Sequence, residues 1–351
     1  MALGRRHLGI AVTALALAVT TLLPVPPAGA LDPPLSGPFL IATERGGIYR
    51  VEIRYPHHSE RVLSARAFLE PHVAPTGRIL FAKYRGLSGN RVKVLVGGDG
   101  DTHVLADDIS HCVDEQAISY DGELATYADP GEGDSACAAA DVVHLVTIDT
   151  DARLDLPAPP RSNWFGADPQ FSRDGSHVAL LGRGGGAQVL WLYDTATGER
   201  VRQLSGYRPT DLPAADGAIV VRRHPDGEES GRRCQLFTVP VSPDEPLSCW
   251  DPELRLTLEQ ADGITASPDG STLAWIRRDR GFHIVLAPVG DVADRRDLGT
   301  SRTGPGMPTP VWISDRFLAT HSPEEDARAV RRVSDGKPVR GPIPVFAGWT
   351  R

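Results

Sequence analysis

One turn recurs along this chain and constrains its fold more than any other feature. Each copy is a short apolar run, a turn pair such as Asp-Gly, and a second apolar run. The copies are residues 71–77 before 79–81, 117–122 before 124–127, 169–175 before 178–181 and 264–270 before 273–275. Residues 212–217 before 219–221 form a weaker copy, and 310–316 before 317–319 lose the turn glycine to Arg316. Asp-Gly tolerates positive φ and the flanking residues are β-branched or aromatic, so each copy reads as a β-hairpin. A third strand follows at 188–193 and 283–286, and a second turn at 197–199 leads into a fourth strand at 201–204. Four antiparallel strands per unit, repeated radially, describe a β-propeller blade, so the fold class predicted is all-β. The 36 glycines and 30 prolines suit a chain of many turns and few helices.

The turn positions are 77, 122, 175, 217, 270 and 316, spaced by 45, 53, 42, 53 and 46 residues. At a mean of about 48, residues 31–351 hold about 6.7 units of a radially repeated fold. Residues 39–42 and 47–51 resemble a blade without its first strand, and 344–347 resemble the strand it lacks. A propeller must join its ends to avoid open sheet edges. The expectation is seven blades with the first shared by both termini, residues 343–349 pairing beside 38–43. Six blades with an N-terminal extension is the alternative.

Residues 1–30 read as a secretory signal. Arg5 and Arg6 form a charged start, residues 8–23 are mostly apolar, and Ala28-Gly29-Ala30 follows a Pro-rich hinge as a cleavage site. The apolar stretch is shorter than the roughly twenty residues a bilayer span needs. The expected domains are therefore 1–30, removed, and a single propeller over 31–351, secreted and without a later membrane span. All four cysteines lie in the exported part, where disulfides are favoured. Of three possible pairings the sequence-local one is preferred, Cys112 with Cys137 and Cys234 with Cys249. Each would close a loop of 15 to 25 residues, contributing roughly 3 kcal/mol in the chain-entropy model.

Phe171-Ser172-Arg173-Asp174-Gly175 and Ala266-Ser267-Pro268-Asp269-Gly270 resemble the WSPDG repeat of TolB-like β-propellers, also seen in propeller domains of the prolyl-oligopeptidase family. The resemblance spans residues 68–320 in repeat form and implies a fold more than a function, because such propellers serve many roles. The N-terminal α/β domain of the family's periplasmic member has no counterpart here.

The formal net charge of −8 leaves no cationic surplus to displace counterions from nucleic acid, so nucleic acid is not expected as a partner. The chain holds no Gly-x-Ser-x-Gly elbow, HExxH or phosphate-loop motif. His57-His58 with Glu60 is the densest histidine cluster, but adjacent residues on a strand face opposite ways. His72 and His111 are scattered candidates for acid/base work. Two acidic glycine loops, Asp129 to Asp134 and Gly98 to Asp101, carry oxygen ligands of the kind calcium takes. Neither matches a calcium loop in spacing, and no cofactor or metal is expected.

Glu70, Glu115, Asp168, Asp211 and Asp262 precede the first strand of successive units in nearly one register. If first strands line a central channel, these carboxylates gather at one mouth and focus negative potential on a cationic ligand or basic peptide. The plainer reading, and the favoured one, has each acid capping its own turn. The function expected is a secreted, monomeric, non-catalytic propeller that binds a protein, peptide or glycan in the bacterial cell envelope. The alternative is a propeller hydrolase or lyase with a metal or acid/base site in the channel.

Overall fold

The computed structural model describes residues 39–337 except for the connecting segments 45–46, 53–58, 65–67, 75, 85–90, 99–100, 111–115, 129–141, 160–168, 185–186, 211, 215–216, 224–233, 252–253, 255–262, 279–280, 302–309 and 323–326. Seven antiparallel sheets follow one another along the described chain, each built from consecutive strands. Sheet one is Phe39–Glu44, Gly47–Glu52 and Ser59–Ser64. Sheet two is Phe68–Val73, Ile79–Tyr84, Arg91–Gly98 and Asp101–Ser110. Sheet three is Ala117–Ile118, Leu124–Ala128, Val142–Thr147 and Ala152–Pro157. Sheet four is Gln170–Phe171, His177–Gly184, Ala187–Asp194 and Arg200–Ser205. Sheet five is Tyr207–Pro209, Ile219–Arg223, Leu236–Val239 and Ser248–Cys249. Sheet six is Thr265–Ala266, Thr272–Arg278, Phe282–Pro288 and Arg296–Ser301, with a 3-10 turn at Val292–Asp294. Sheet seven is Val311–Ser314, Phe317–Ser322 and Ala327–Arg332.

The inner strands are apolar without alternation because both faces of each sheet are covered, a strand's successive side chains pointing to opposite neighbours. In the second strand of sheet four, Val178 and Leu180 pack on Ala117, Val143 and Leu156 of sheet three. Ala179 and Leu181, on the other face, pack on Ile219, Val221 and Val239 of sheet five. The same division recurs in sheet six: Leu273 and Trp275 turn to Leu212 and Val220 of sheet five, whereas Ala274 turns to Trp312 and Leu318 of sheet seven. Leu80, Val94 and Ile109 of sheet two meet Ala125, Tyr127 and Val146 of sheet three. The core is therefore a series of apolar layers, each shared by two successive sheets. Fully burying a side chain such as Leu180 or Leu273 contributes about 1.5–3 kcal/mol.

First strands of successive sheets approach one another, two with three, three with four and six with seven, which puts them at the inner edge. Phe39–Glu44 of sheet one also approaches Val311–Ser314 of sheet seven, so the order of sheets is cyclic. Outer strands carry the exposure, as in the largely exposed Ala152–Pro157.

Two local departures from the repeat follow from prolines. Pro71 has no N–H to give a ladder, and the pairing in sheet two shifts register between Leu69 and His72. The first strand of sheet five lies at Tyr207–Pro209, several residues before the 212–217 run that the repeat marks out. Pro213 interrupts that run; the ladder runs through Pro209 opposite Val221, and the Thr210 N–H donates to the Val220 carbonyl at 2.9 Å.

Candidate functional site

The side chains with most polar organisation belong to the turns that join first and second strands. In sheets three, four and six these turns carry one network. Ser119, Ser172 and Ser267 donate through Oγ to Oδ1 of Asp121, Asp174 and Asp269 at 2.5, 2.7 and 2.6 Å. Each serine oxygen also accepts the N–H five residues on, from Leu124, His177 and Thr272, at 2.8, 2.9 and 2.9 Å. Each aspartate accepts the N–H two residues on, from Glu123, Ser176 and Ser271, at 2.9, 3.1 and 2.9 Å. The glycine closes the turn at positive φ, 77° at Gly122, 72° at Gly175 and 74° at Gly270, which L-residues reach only with strain. Burial pushes the Asp174 and Asp269 carboxyls up, but the hydrogen bonds from neighbouring serines outweigh it and hold both below their ordinary value.

Adjacent turns touch in sequence around the ring. A Cβ on Gly122 would lie 2.6 Å from Thr76 Oγ1 of sheet two, and one on Gly217 would lie 2.5 Å from Ser176 Oγ of sheet four. Arg78 of sheet two donates to the Gly122 carbonyl at 3.0 Å and to Asp149 at 2.7 Å, both in sheet three. Arg173 breaks this neighbour-only pattern. From the turn of sheet four its Nη2 donates to Tyr120 Oη of sheet three at 2.9 Å and to the Pro268 carbonyl of sheet six. Its guanidinium lies over the Tyr120 ring, 4.4 Å from the centroid, and would meet a Cβ on Gly270 at 2.5 Å. The Asp269 N–H donates to Asp315 of sheet seven at 2.9 Å, tying the next turn into the group. Burial raises the Tyr120 phenol above its ordinary value; Arg173 opposes this, while Asp315 and Asp269 add to it.

Ser176, His177 and Asp174 are the residue types of a hydrolytic triad but do not have its order. Ser176 Oγ lies 2.8 Å from both His177 Nδ1 and Asp174 Oδ1, so acid and imidazole meet the same hydroxyl. A triad needs the imidazole between the two, with the acid on its far nitrogen. His177 Nε2 is buried and has no hydrogen-bond partner.

Arginines also join the outer strands, presenting donors to carbonyls of the next sheet. Arg202 of sheet four donates to the carbonyls of Pro240, Ser242 and Glu245 in sheet five. Arg296 of sheet six reaches the Ser334 carbonyl, and Arg331 of sheet seven returns to the Leu298 carbonyl. Tyr193 Oη donates to the Pro157 carbonyl of sheet three, and burial, against the opposing charge of Arg200, pushes its phenol up to about 12.

Of the carboxylates singled out by register, Glu115, Asp168, Asp211 and Asp262 lie outside the described residues. Glu70 lies in Phe68–Val73 at the register shift, and its side chain is not described. The Cys234–Cys249 disulfide is present, linking the fourth strand of sheet five to the chain just before its third strand. Cys112 and Cys137 lie outside the described residues, as do His57, His58, His111 and the 129–134 loop; of the other acidic loop only Gly98 and Asp101 are described, at strand ends. Among the described residues no group of three or more His, Cys, Asp or Glu side chains is placed to hold a metal ion, and no helix is long and apolar enough to cross a membrane. The sequence reading missed Arg173, because nothing near it in the chain announces a partner 95 residues away.

No family model matches the chain, and no curated protein matches it. Among solved structures it is similar to the hydrazine synthase of Kuenenia stuttgartiensis, with 15% identity over 85% of this chain and 93% of that one, TM-score 0.53. An oligogalacturonate lyase in complex with manganese gives 12% identity over 86% and 84%, TM-score 0.52. TolB from Acinetobacter baumannii gives 13% over 86% and 77%, TM-score 0.46. The cyclic order of antiparallel sheets, with first strands at the inner edge, is a β-propeller fold.

Proposed function

We propose that this chain is a secreted, non-catalytic propeller that acts as a binding or scaffold module for a protein, peptide or glycan in the bacterial cell envelope. The observation that carries the reading is the use made of the polar groups at the inner turns. Serines, aspartates and Arg173 hold turns to themselves and to other turns, which makes a rigid ring. A rigid ring presents its loops at little ordering cost when a partner binds. The Cys234–Cys249 disulfide fits an oxidising compartment, and residues 1–30 supply the export signal.

In this reading the seven sheets are seven blades, and residues 343–349 complete the first beside 38–43. Sheet one has three described strands and sits next to sheet seven, as that closure requires. A chain ending at residue 342 should lose much of its stability; a truncated chain as stable as the full one would leave closure to some other segment.

The mouth opposite the turns is where Glu70, Glu115, Asp168, Asp211 and Asp262 would collect. Titration with an oligo-arginine peptide tests it: binding should weaken with salt and in the Glu70→Gln, Glu115→Gln, Asp168→Asn variant. Equal binding by that variant would remove the carboxylates from the site while leaving the scaffold reading standing. Turnover of peptide or oligouronide by the purified protein would overturn the non-catalytic reading in favour of a hydrolase or lyase.

A further inference from the structure

Arg173 does something the repeat does not require. The other turn contacts described above join neighbouring sheets or lie within one, whereas Arg173 passes the inner end of sheet five and reaches from sheet four to sheet six. Its reach is fixed at several points. The Tyr120 ring covers one side at 4.4 Å, the bare Cα of Gly270 leaves room on the approach to Pro268, and two acceptors, Tyr120 Oη and the Pro268 carbonyl, receive its hydrogens. Asp315 extends the group to sheet seven through the Asp269 N–H. Turns from sheets three, four, six and seven thus meet in one bonded group at one end of the ring. A planar guanidinium with fixed donors suits this better than lysine, whose ammonium is a compact point charge on a flexible stem.

We propose that Arg173 is a strap drawn across the turn-side end of the ring, closing that end of the central passage and directing ligands to the opposite face. The inference stands apart from what the ligand is and from whether the protein is catalytic. It states which end of the passage is shut and by which side chain.

Hydroxyl-radical footprinting of tyrosines, mapped by peptide mass spectrometry, tests it. Tyr120 lies under the strap, and Tyr193, bonded to the Pro157 carbonyl far out between sheets three and four, is the internal reference. Arg173→Ala should speed oxidation of Tyr120 severalfold, because the ring loses the guanidinium that covers it, with Tyr193 unchanged. Arg173→Lys should fall between, keeping charge without the flat cover. Gly270→Ala gives a second route, since its Cβ displaces the guanidinium with Arg173 still present, and it should also speed Tyr120. Equal Tyr120 rates in the native protein, Arg173→Ala and Gly270→Ala would overturn the proposal. A parallel rise at Tyr193 would overturn it too, by showing general loosening of the ring.

Discussion

Sheets four and five sit side by side and are held in shape by different means. In sheet four the Ser172–Asp174 network closes the inner turn from within six residues, with Ser172 and Asp174 accepting the N–H groups of His177 and Ser176. Sheet five has Ala214 where the network places serine, and its first strand ends earlier in the chain. It is secured farther out, by the Cys234–Cys249 disulfide, by Trp250 Nε1 donating to the Pro213 carbonyl at 3.0 Å, and by Arg202 reaching in from sheet four. One sheet is organised by local side-chain bonds to backbone, the other by a covalent link and borrowed contacts. The fold needs each sheet to present two apolar faces; it does not prescribe how the edges are kept.

The largest test of that contrast is removal of the disulfide. Cys234→Ser with Cys249→Ser should lower the unfolding free energy by about 3 kcal/mol, the loop-closure value for some fifteen residues. Urea titration measures it, and hydrogen exchange should show Leu236–Val239 losing protection before His177–Gly184. Equal loss in both strands would mean that the two sheets share one support.

Ser172→Ala comes next. It leaves the buried His177 N–H without its acceptor and Asp174 with one donor fewer, at about 1–3 kcal/mol. The same loss should follow Ser267→Ala, and a cost near zero in both would deny the network its role. Ala214→Gly, in the sheet that lacks the network, should show no comparable effect.

Glycine substitutions separate strain from contact. Gly206 has a φ of 78° and nothing near its added Cβ, so Gly206→Ala should cost only the left-handed strain, about 1 kcal/mol. Gly217 has a similar φ of 74° but faces Ser176 and His177 of sheet four, so Gly217→Ala should cost more. Identical melting temperatures for the two would show that these turns do not press on each other.

The smallest effect is that of acid. Asp174 and Asp269 titrate below their unfolded values, so their contribution is complete above the unfolded carboxylate pKa of about 3.9. It is lost as pH falls through the lower folded values, where the native state must take up protons it holds less readily than the unfolded chain. Asp174→Asn with Asp269→Asn should flatten the loss of thermal stability below pH 4, whereas the disulfide of sheet five has no titrating group and leaves that slope unchanged.

The features legible in the sequence were those whose causes are local. Asp-Gly at 174–175 and 269–270 marked turns because positive φ is a property of two residues, and Gly77, Gly122 and Gly217 take it too. The third strands at 188–193 and 283–286 followed from uninterrupted apolar runs, and the Cys234–Cys249 pair from proximity in the chain. Reading the site demanded contacts that only the closed ring creates. Register drew attention to acids before the first strands, whose side chains lie outside the described residues, and passed over Asp121, Asp174 and Asp269 in the turns themselves. Their bonds to neighbouring N–H groups are the self-capping role expected of the other set.

Arg173 also bears on the order in which the molecule can be made. Its sheets are sequential hairpins, so each can assemble from residues close in the chain, and contacts of short sequence separation form fast. The Pro268 carbonyl lies 95 residues after Arg173 in the chain. Until the first strand of sheet six is in place, the guanidinium of a finished fourth sheet has no far anchor, so the tie across sheet five closes only after sheet five itself.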